Sequence, residues 1–229
     1  MQTGMTVGKP MKMLLNFTIP VFLGNVFQQL YSMADAVIVG KFVGTKGLAA
    51  VGATGTITFL IIGFLMGVTT GVTVLTSQKF GAGRMDEMRK TVGNAAILSA
   101  VIAVVMTAVS MLGMHRLLVF MHTPEDIFDG AYGYIMIICA GIFTQVLYNL
   151  VSSILRALGN SKTPLYFLIL AAGLNIVLDL VFIIFFHWGA PGAAWATVIS
   201  QGVSGVLCLI YMWKAVPELK MKKEDWYFN

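Results

Sequence analysis

Residues 47–78 read GLAAVGATGTITFLIIGFLMGVTTGVTVLTSQ, a run without a single Asp, Glu, Lys or Arg. A bilayer presents about 30 Å of hydrocarbon, which a helix rising 1.5 Å per residue crosses with roughly 20 apolar residues, so this run is long enough to span. A barrel strand would cross in about half that length and would alternate in polarity, which these residues do not. Backbone facing lipid must satisfy its own hydrogen bonds, and the reading is therefore a membrane helix.

The same pattern recurs outward from this run. Met13 to Ala34, Thr91 to His115, Gly130 to Leu155 and Leu180 to Trp213 are uncharged as well, and Thr163 to Leu178 becomes long enough once Asp179 is admitted, giving a crossing from Pro164 to about Phe186. Across 229 residues, 58% are hydrophobic and 11% charged, against about 25% charged in soluble domains, which excludes a water-soluble globule. The expected fold class is all-α, a polytopic membrane protein of six transmembrane helices in one bundle. The helices are placed at about 13–40, 48–77, 92–114, 127–158, 164–186 and 191–213, within a single membrane domain over 1–229 that ends in a cytoplasmic tail, 214–229.

Charge fixes an orientation. Lys9, Lys12, Lys79, Arg84, Arg89, Lys90, Arg156, Lys162, Lys214, Lys220, Lys222 and Lys223 fall on one side of the predicted bundle, and only Lys41, Lys46 and Arg116 on the other. The positive-inside rule then places both termini in the cytoplasm of a cell-membrane protein, Gln78 to Lys90 in an intracellular loop and His115 to Asp126 in an external one. The net charge of +5 reflects this topology and implies no nucleic-acid partner, since no basic stripe is interleaved with aromatics. The first apolar run is too long for a signal peptide and lacks a small-x-small cleavage site, so it reads as an anchor.

Local signals refine the picture. Thr123-Pro124-Glu125-Asp126 and Thr163-Pro164 each read as a threonine cap with proline at the first helical position. Gly63, Gly67 and Gly71 form small-xxx-small steps on the second helix, and Gly192, Ala196, Ser200, Ser204 and Cys208 repeat every four residues on the sixth; both read as packing seams. Cys139 and Cys208 lie within spans and read as small packing residues rather than a disulfide or metal pair.

Enzymatic motifs fail on their partners. Gly202-Val203-Ser204-Gly205 resembles the GxSG of intramembrane proteases, but His115, His122 and His187 sit at helix ends or in loops. Gly81-Ala82-Gly83 is followed by neither a dinucleotide fingerprint nor GK[ST], and three scattered histidines build no zinc site. No enzyme and no cofactor is implied.

Two acids demand a reason. Asp35 and Asp179 fall inside predicted spans, about 8 and 10 Å inward from the outer ends at 1.5 Å per residue. An ionised group at the bilayer centre costs about 2.5–3.5 kcal/mol on insertion scales, so such residues face a cavity or partner and mark ion or substrate paths. Thr18, Asn25, Gln28, Ser32 and Asp35 share one face of the first helix, Asn175 lies one turn before Asp179, and Tyr134, Gly141, Gln145, Asn149 and Ser152 form a similar stripe on the fourth. Together they suggest a hydrated cavity. Burial favours a neutral carboxyl and a bound cation favours a charged one, so a carboxylate there can exchange protons for cations. Carboxylate and amide oxygens also suit sodium, which leaves H+ or Na+ as coupling ion, with transient Na+ at Asp35, Asn175 and Asp179.

Pro20-Val21-Phe22-Leu23-Gly24-Asn25, Gln28-Gln29-Leu30-Tyr31 and Asp35-Ala36-Val37-Ile38-Val39-Gly40 resemble the start of a multidrug and toxic compound extrusion (MATE) transporter. Leu48-Ala49-Ala50-Val51-Gly52, Ser77 to Gly83, Leu155 to Pro164, Asn175 to Asp179 and Gly192 to Thr197 continue the resemblance in family order. It implies one six-helix bundle of a twelve-helix antiporter that exports cationic, amphipathic organic compounds in exchange for H+ or Na+. It also implies a cation-coupling cluster of Asp35, Asn175 and Asp179, supported by Tyr134, Asn149, Thr197 and Gln28. The partners implied are small organic cations, membrane lipid and a second six-helix bundle, because Lys220 to Asn229 is polar where the family continues into a seventh helix. Two other readings remain open: a flippase of lipid-linked saccharides, which would be expected to carry cationic residues inside its spans, and a non-transporting membrane scaffold.

Overall fold

The computed structural model describes residues 10–219. They form α1 (Pro10–Phe42), α2 (Thr45–Gly81), α3 (Met85–Phe120), α4 (Glu125–Ala140), α5 (Ile142–Ala157), α6 (Lys162–Leu180) and α7 (Gly189–Ala215), with a π-helical turn at Val181–Phe185 and a 3₁₀ turn at Pro217–Leu219. There is no strand among the described residues. Five helices are long and apolar enough to cross a membrane, and α4 with α5, bent by 47°, is long and apolar enough for a sixth crossing if the pair is taken as one span. The fold is an all-α membrane bundle.

Its outer surface is what lipid requires. Phe59, Phe64, Leu112, Phe120 and Trp213 are largely exposed, whereas two apolar clusters fill the interior. One is built around Val39, Ile57, Met114, Ile135 and Ala193, the other around Met88, Leu150, Ile154, Leu155 and Cys208 toward the lysine- and arginine-rich end. Helix α7 is the central element and packs on α4, α5 and α6, while α1 lies at the margin, mainly against α6.

The centrality of α7 follows from its small face. Gly192, Ala196, Ser200, Ser204 and Cys208 are all buried, as a seam requires. A Cβ added at Gly205 would sit 3.2 Å from the Tyr148 backbone nitrogen, and one at Gly202 would sit 3.2 Å from Thr144 Cγ2. Ser204 donates to the Phe167 carbonyl at 3.0 Å, so the GxSG motif is a packing surface with its hydroxyl used across helices. Both cysteines are free and fully buried in the clusters.

The glycines of α2 behave differently. Gly63, Gly67 and Gly71 are exposed, and a Cβ on any of them meets nothing within 4 Å, so they form no seam among the described residues. Reading a four-residue repeat of small residues identifies a smooth face without saying whether a neighbour covers it. Gly67→Ala is therefore expected to leave thermal stability unchanged or to raise it by up to about 1 kcal/mol, the helix-propensity difference, in thermal unfolding of the purified protein.

The expected single helix 127–158 is two helices. Their break is Gly141, where an added Cβ would lie 2.2 Å from Val198 Cγ2 on α7, so only glycine permits the approach. The Gly141 carbonyl accepts from the Thr144 hydroxyl at 2.8 Å as well as from the Thr144 and Gln145 backbone N–H groups at 3.0 and 3.4 Å, so α5 starts on a carbonyl shared among three donors at the bend.

The helix starts also depart from expectation. Pro124 is the residue before α4 rather than its first, and no threonine side chain caps either start. At α6 the cap comes from Asn160, whose Oδ1 accepts from the Thr163 backbone N–H at 3.1 Å while its Nδ2 donates to Thr163 Oγ1 at 2.9 Å. Asn160→Ala is expected to cost about 1 kcal/mol, read as a lowered unfolding midpoint.

Helices extend into the expected loops as well. Of 78–90 only 82–84 is non-helical, with Gly83 at φ 73°, and of 115–126 only 121–124. Lys79 and Arg84 pair with Glu87 at 3.3 and 3.4 Å, exposed contacts of small energetic weight. The segment after 213 is not wholly a free tail: Lys214 and Ala215 finish α7, and Val216 and Leu219 are buried in the second cluster. Residues 220–229 lie outside the described residues.

Candidate functional site

Four helices bring polar side chains to one place in the apolar interior. Helix α1 supplies Tyr31 and Asp35, α4 supplies Tyr134, α6 supplies Asn175 and Asp179, and α7 supplies Thr197. Asn175 and Asp179 are completely buried, and Tyr31 and Tyr134 are less than a tenth exposed. The Asp35 and Asp179 carboxyl groups lie close enough to interact electrostatically, although they are 144 positions apart in the chain.

The network around the pair is specific. Asn175 Nδ2 donates to Asp179 Oδ2 at 3.0 Å and its Oδ1 accepts from the Thr197 backbone N–H at 3.3 Å, the amide orientation that satisfies both ends. The Tyr31 hydroxyl donates to Thr197 Oγ1 at 3.2 Å, tying α1 to α7. Asp35 Oδ1 and Asp179 Oδ1 are buried without a hydrogen-bond partner. A buried carboxylate oxygen left in that condition is costly unless a proton or cation meets it.

Two neighbouring carboxyl groups that share one proton carry one negative charge between them, and two without it. The donor set consists of carboxylate, amide and hydroxyl oxygens, all hard, which suits a proton or an alkali cation and not a soft metal. No group of three or more His, Cys, Asp or Glu capable of holding a metal occurs among the described residues. Directly after Asp179, the backbone widens into the π turn Val181–Phe185, a form often found at functional positions.

Of the residues expected in the site, Asp35, Asn175, Asp179, Tyr134 and Thr197 are brought together. Gln28 and Asn149 are not. Both line a separate cavity nearer the lysine- and arginine-rich end, alongside Asn25, Tyr148 and Arg156, and the Asn149 amide is turned back onto the Gln145 carbonyl at 2.8 Å. Seven residues of helix separate Gln28 from Asp35, about 10 Å, so sharing a face did not mean sharing a site. Tyr31 was not among the expected residues, although its place one helical turn before Asp35 is a direct signal.

The chain is 33% identical over 209 residues to a probable multidrug resistance protein, YpnP, of Bacillus subtilis, covering 91% of this chain and 47% of that protein. A probable multidrug resistance protein NorM of Thermotoga maritima is 28% identical, with 87% of this chain and 44% of that one covered. The crystal structure of MATE in the bent conformation superposes with a TM-score of 0.89 at 28% identity, covering 97% of this chain and 50% of that chain. The chain thus spans about half the length of the relatives it matches. Residues 20–181 match the MatE family as a whole, and on that extent the chain belongs to the MatE family.

Proposed function

We propose that this chain is one six-helix bundle of a secondary antiporter that exports cationic or amphipathic organic compounds, with the Asp35–Asp179 pair as its ion-coupling site. The observation that carries the reading is the meeting of two intramembrane carboxyl groups from α1 and α6, each with an unpartnered buried oxygen. Names of the relatives support multidrug export as the activity of the complete protein.

The coupling runs through charge. With its shared proton, the pair is compact and holds α1 against α6. When the proton leaves, two like charges in low dielectric repel, and the site either takes up a cation or opens. Because Tyr31 and Asp35 sit on α1 while Asn175, Asp179 and Thr197 sit on α6 and α7, proton or cation occupancy alters how α1 packs. Alternating access needs a second bundle against which this one rocks, either the remainder of a longer polypeptide or a second copy. The lysine- and arginine-rich end faces the cytoplasm of the cell membrane under the positive-inside rule. H+ and Na+ both fit the oxygen donor set.

The test is transport by the natively expressed polypeptide in proteoliposomes, using a fluorescent organic cation and an imposed proton or sodium gradient. Movement of the dye driven by one of the two gradients is expected. Movement that ignores both gradients would contradict antiport, and no movement with correctly folded protein would favour the scaffold reading.

A further inference from the structure

The second polar region of the bundle is centred on Arg156, in the last turn of α5. Arg156 borders two cavities at once. One, about 200 Å³, lies between α2 and α5 and is lined by Met66, Thr69, Thr70, Thr73, Asn149 and Ser153; the other, about 90 Å³, lies between α1, α5 and the start of α6 and includes Asn25, Gln28 and Ser161. Both are far larger than a single water requires.

The guanidinium is short of a counter-charge. It donates to a neutral acceptor, Ser153 Oγ, at 3.2 Å, and the ion pairs among the described residues, Lys46–Asp126, Lys79–Glu87, Arg84–Glu87 and Arg89–Asp86, do not include it. The ionisable groups near it, Tyr148 and Cys208, are a phenol and a thiol, and no carboxylate is among them. A last-turn arginine suits the negative end of a helix, which explains the sign of the charge but not its enclosure between two cavities. The threonine hydroxyls beside it spend their protons on carbonyls of α2, Thr70 on Met66 at 2.7 Å and Thr73 on Thr69 at 2.8 Å. Donors for a ligand therefore come from Arg156 and the amides of Asn25 and Gln28, while the threonine lone pairs can accept from a ligand hydroxyl.

We propose that the Arg156 cavities form a phosphate site, separate from the Asp35–Asp179 pair, at the lysine- and arginine-rich end of the bundle. A planar guanidinium fork matches two phosphate oxygens, and a phosphate that also carries hydroxyl groups nearby uses the threonine acceptors. The phosphate comes either from the headgroup of an anionic lipid in the adjoining leaflet or from a free phosphate compound.

The test uses the purified full chain as wild type, Arg156→Gln, Arg156→Lys and Thr73→Leu. Retained phosphatidylglycerol is measured by native mass spectrometry, and stabilisation by inorganic phosphate is measured by thermal unfolding. If the source is lipid, wild type retains phosphatidylglycerol over phosphatidylcholine, and Arg156→Gln retains at least about tenfold less. If the source is soluble, inorganic phosphate raises the unfolding midpoint of wild type and not of Arg156→Gln. In either arm Arg156→Lys recovers part of the effect. Thr73→Leu, which fills the larger cavity and leaves the charge, also loses it, so the assay does not depend on Arg156→Gln folding. Neither lipid retention nor a phosphate shift in wild type, or equal values in wild type and both loss variants, overturns the proposal.

Discussion

Asp179→Asn is expected to reduce ion-coupled efflux about 10- to 100-fold while leaving the amount of protein in the membrane unchanged. The substitution keeps shape and removes the charge and the titratable proton. It replaces hydrogen bonds to a charged group, worth roughly 1.5–3 kcal/mol each, by neutral ones. Asn175 can still donate to the new amide oxygen from its present 3.0 Å position, so the α6–α7 link through Thr197 survives. Burying a neutral amide at a fully enclosed position costs less than burying a carboxylate, so folding is expected to be equal or better. Dye efflux in vesicles, normalised to protein level by immunoblot, separates the two readings. Efflux that falls only in proportion to the amount of protein would assign Asp179 to structure.

The second large effect is at Gly141. Alanine there places its Cβ 2.2 Å from Val198 Cγ2 and 2.8 Å from Val198 Cγ1, distances that no relaxation of one side chain removes. Val198 is buried at the α4–α7 contact, so α7 must move away from both α4 and α5. The expected cost is about 3 kcal/mol, the upper end of overpacking penalties. Val198→Ala removes the two clashing methyl groups, and the Gly141→Ala/Val198→Ala pair is expected to recover much of the loss. Thermal unfolding of the two single variants and the pair gives the cycle, and additive destabilisation would show that the close approach is not the reason for the glycine.

The two outcomes rest on different kinds of legibility. Asp35 and Asp179 could be read from the sequence because charge inside a long apolar run is improbable without a use, and helix depth placed both in the same half of the membrane. The seam on α7 was readable for a similar reason, since small residues at every fourth position describe one continuous face. Gly141 was visible as a polar-stripe residue but not as a break, because a glycine within an apolar run has the same appearance whether the helix continues or bends. The decisive fact, Val198 lying above it, is 57 residues away in sequence. Gly63, Gly67 and Gly71 show the converse, a regular repeat that no neighbour covers among the described residues. The π turn at Val181–Phe185 has no composition of its own, as its residues suit an α-helix equally well. Arg156 falls at the end of the expected helix 127–158 and reads in the sequence as a cytoplasmic-side charge; that it borders two cavities depends on α1, α2 and α6, which composition along its own helix does not show.

Asn149 and Gln28 illustrate the limit of face-sharing. Periodicity assigns a residue to a side of its helix, and the packing angle then decides which neighbour that side meets along its length. Helix α1 meets α6 over much of its length, so its polar stripe serves two regions, Tyr31 and Asp35 in one and Asn25 and Gln28 in the other.

The account depends most on Asp35 and Asp179 acting as one unit. Gradient-driven efflux should therefore be measured for Asp35→Asn, Asp179→Asn and the double variant, at matched membrane levels. A pair that shares one proton loses its function when either member is neutralised, so the double variant is predicted to be no worse than the weaker single. Losses that multiply in the double variant would mean that the two carboxyl groups act independently, and the shared site would have to be abandoned.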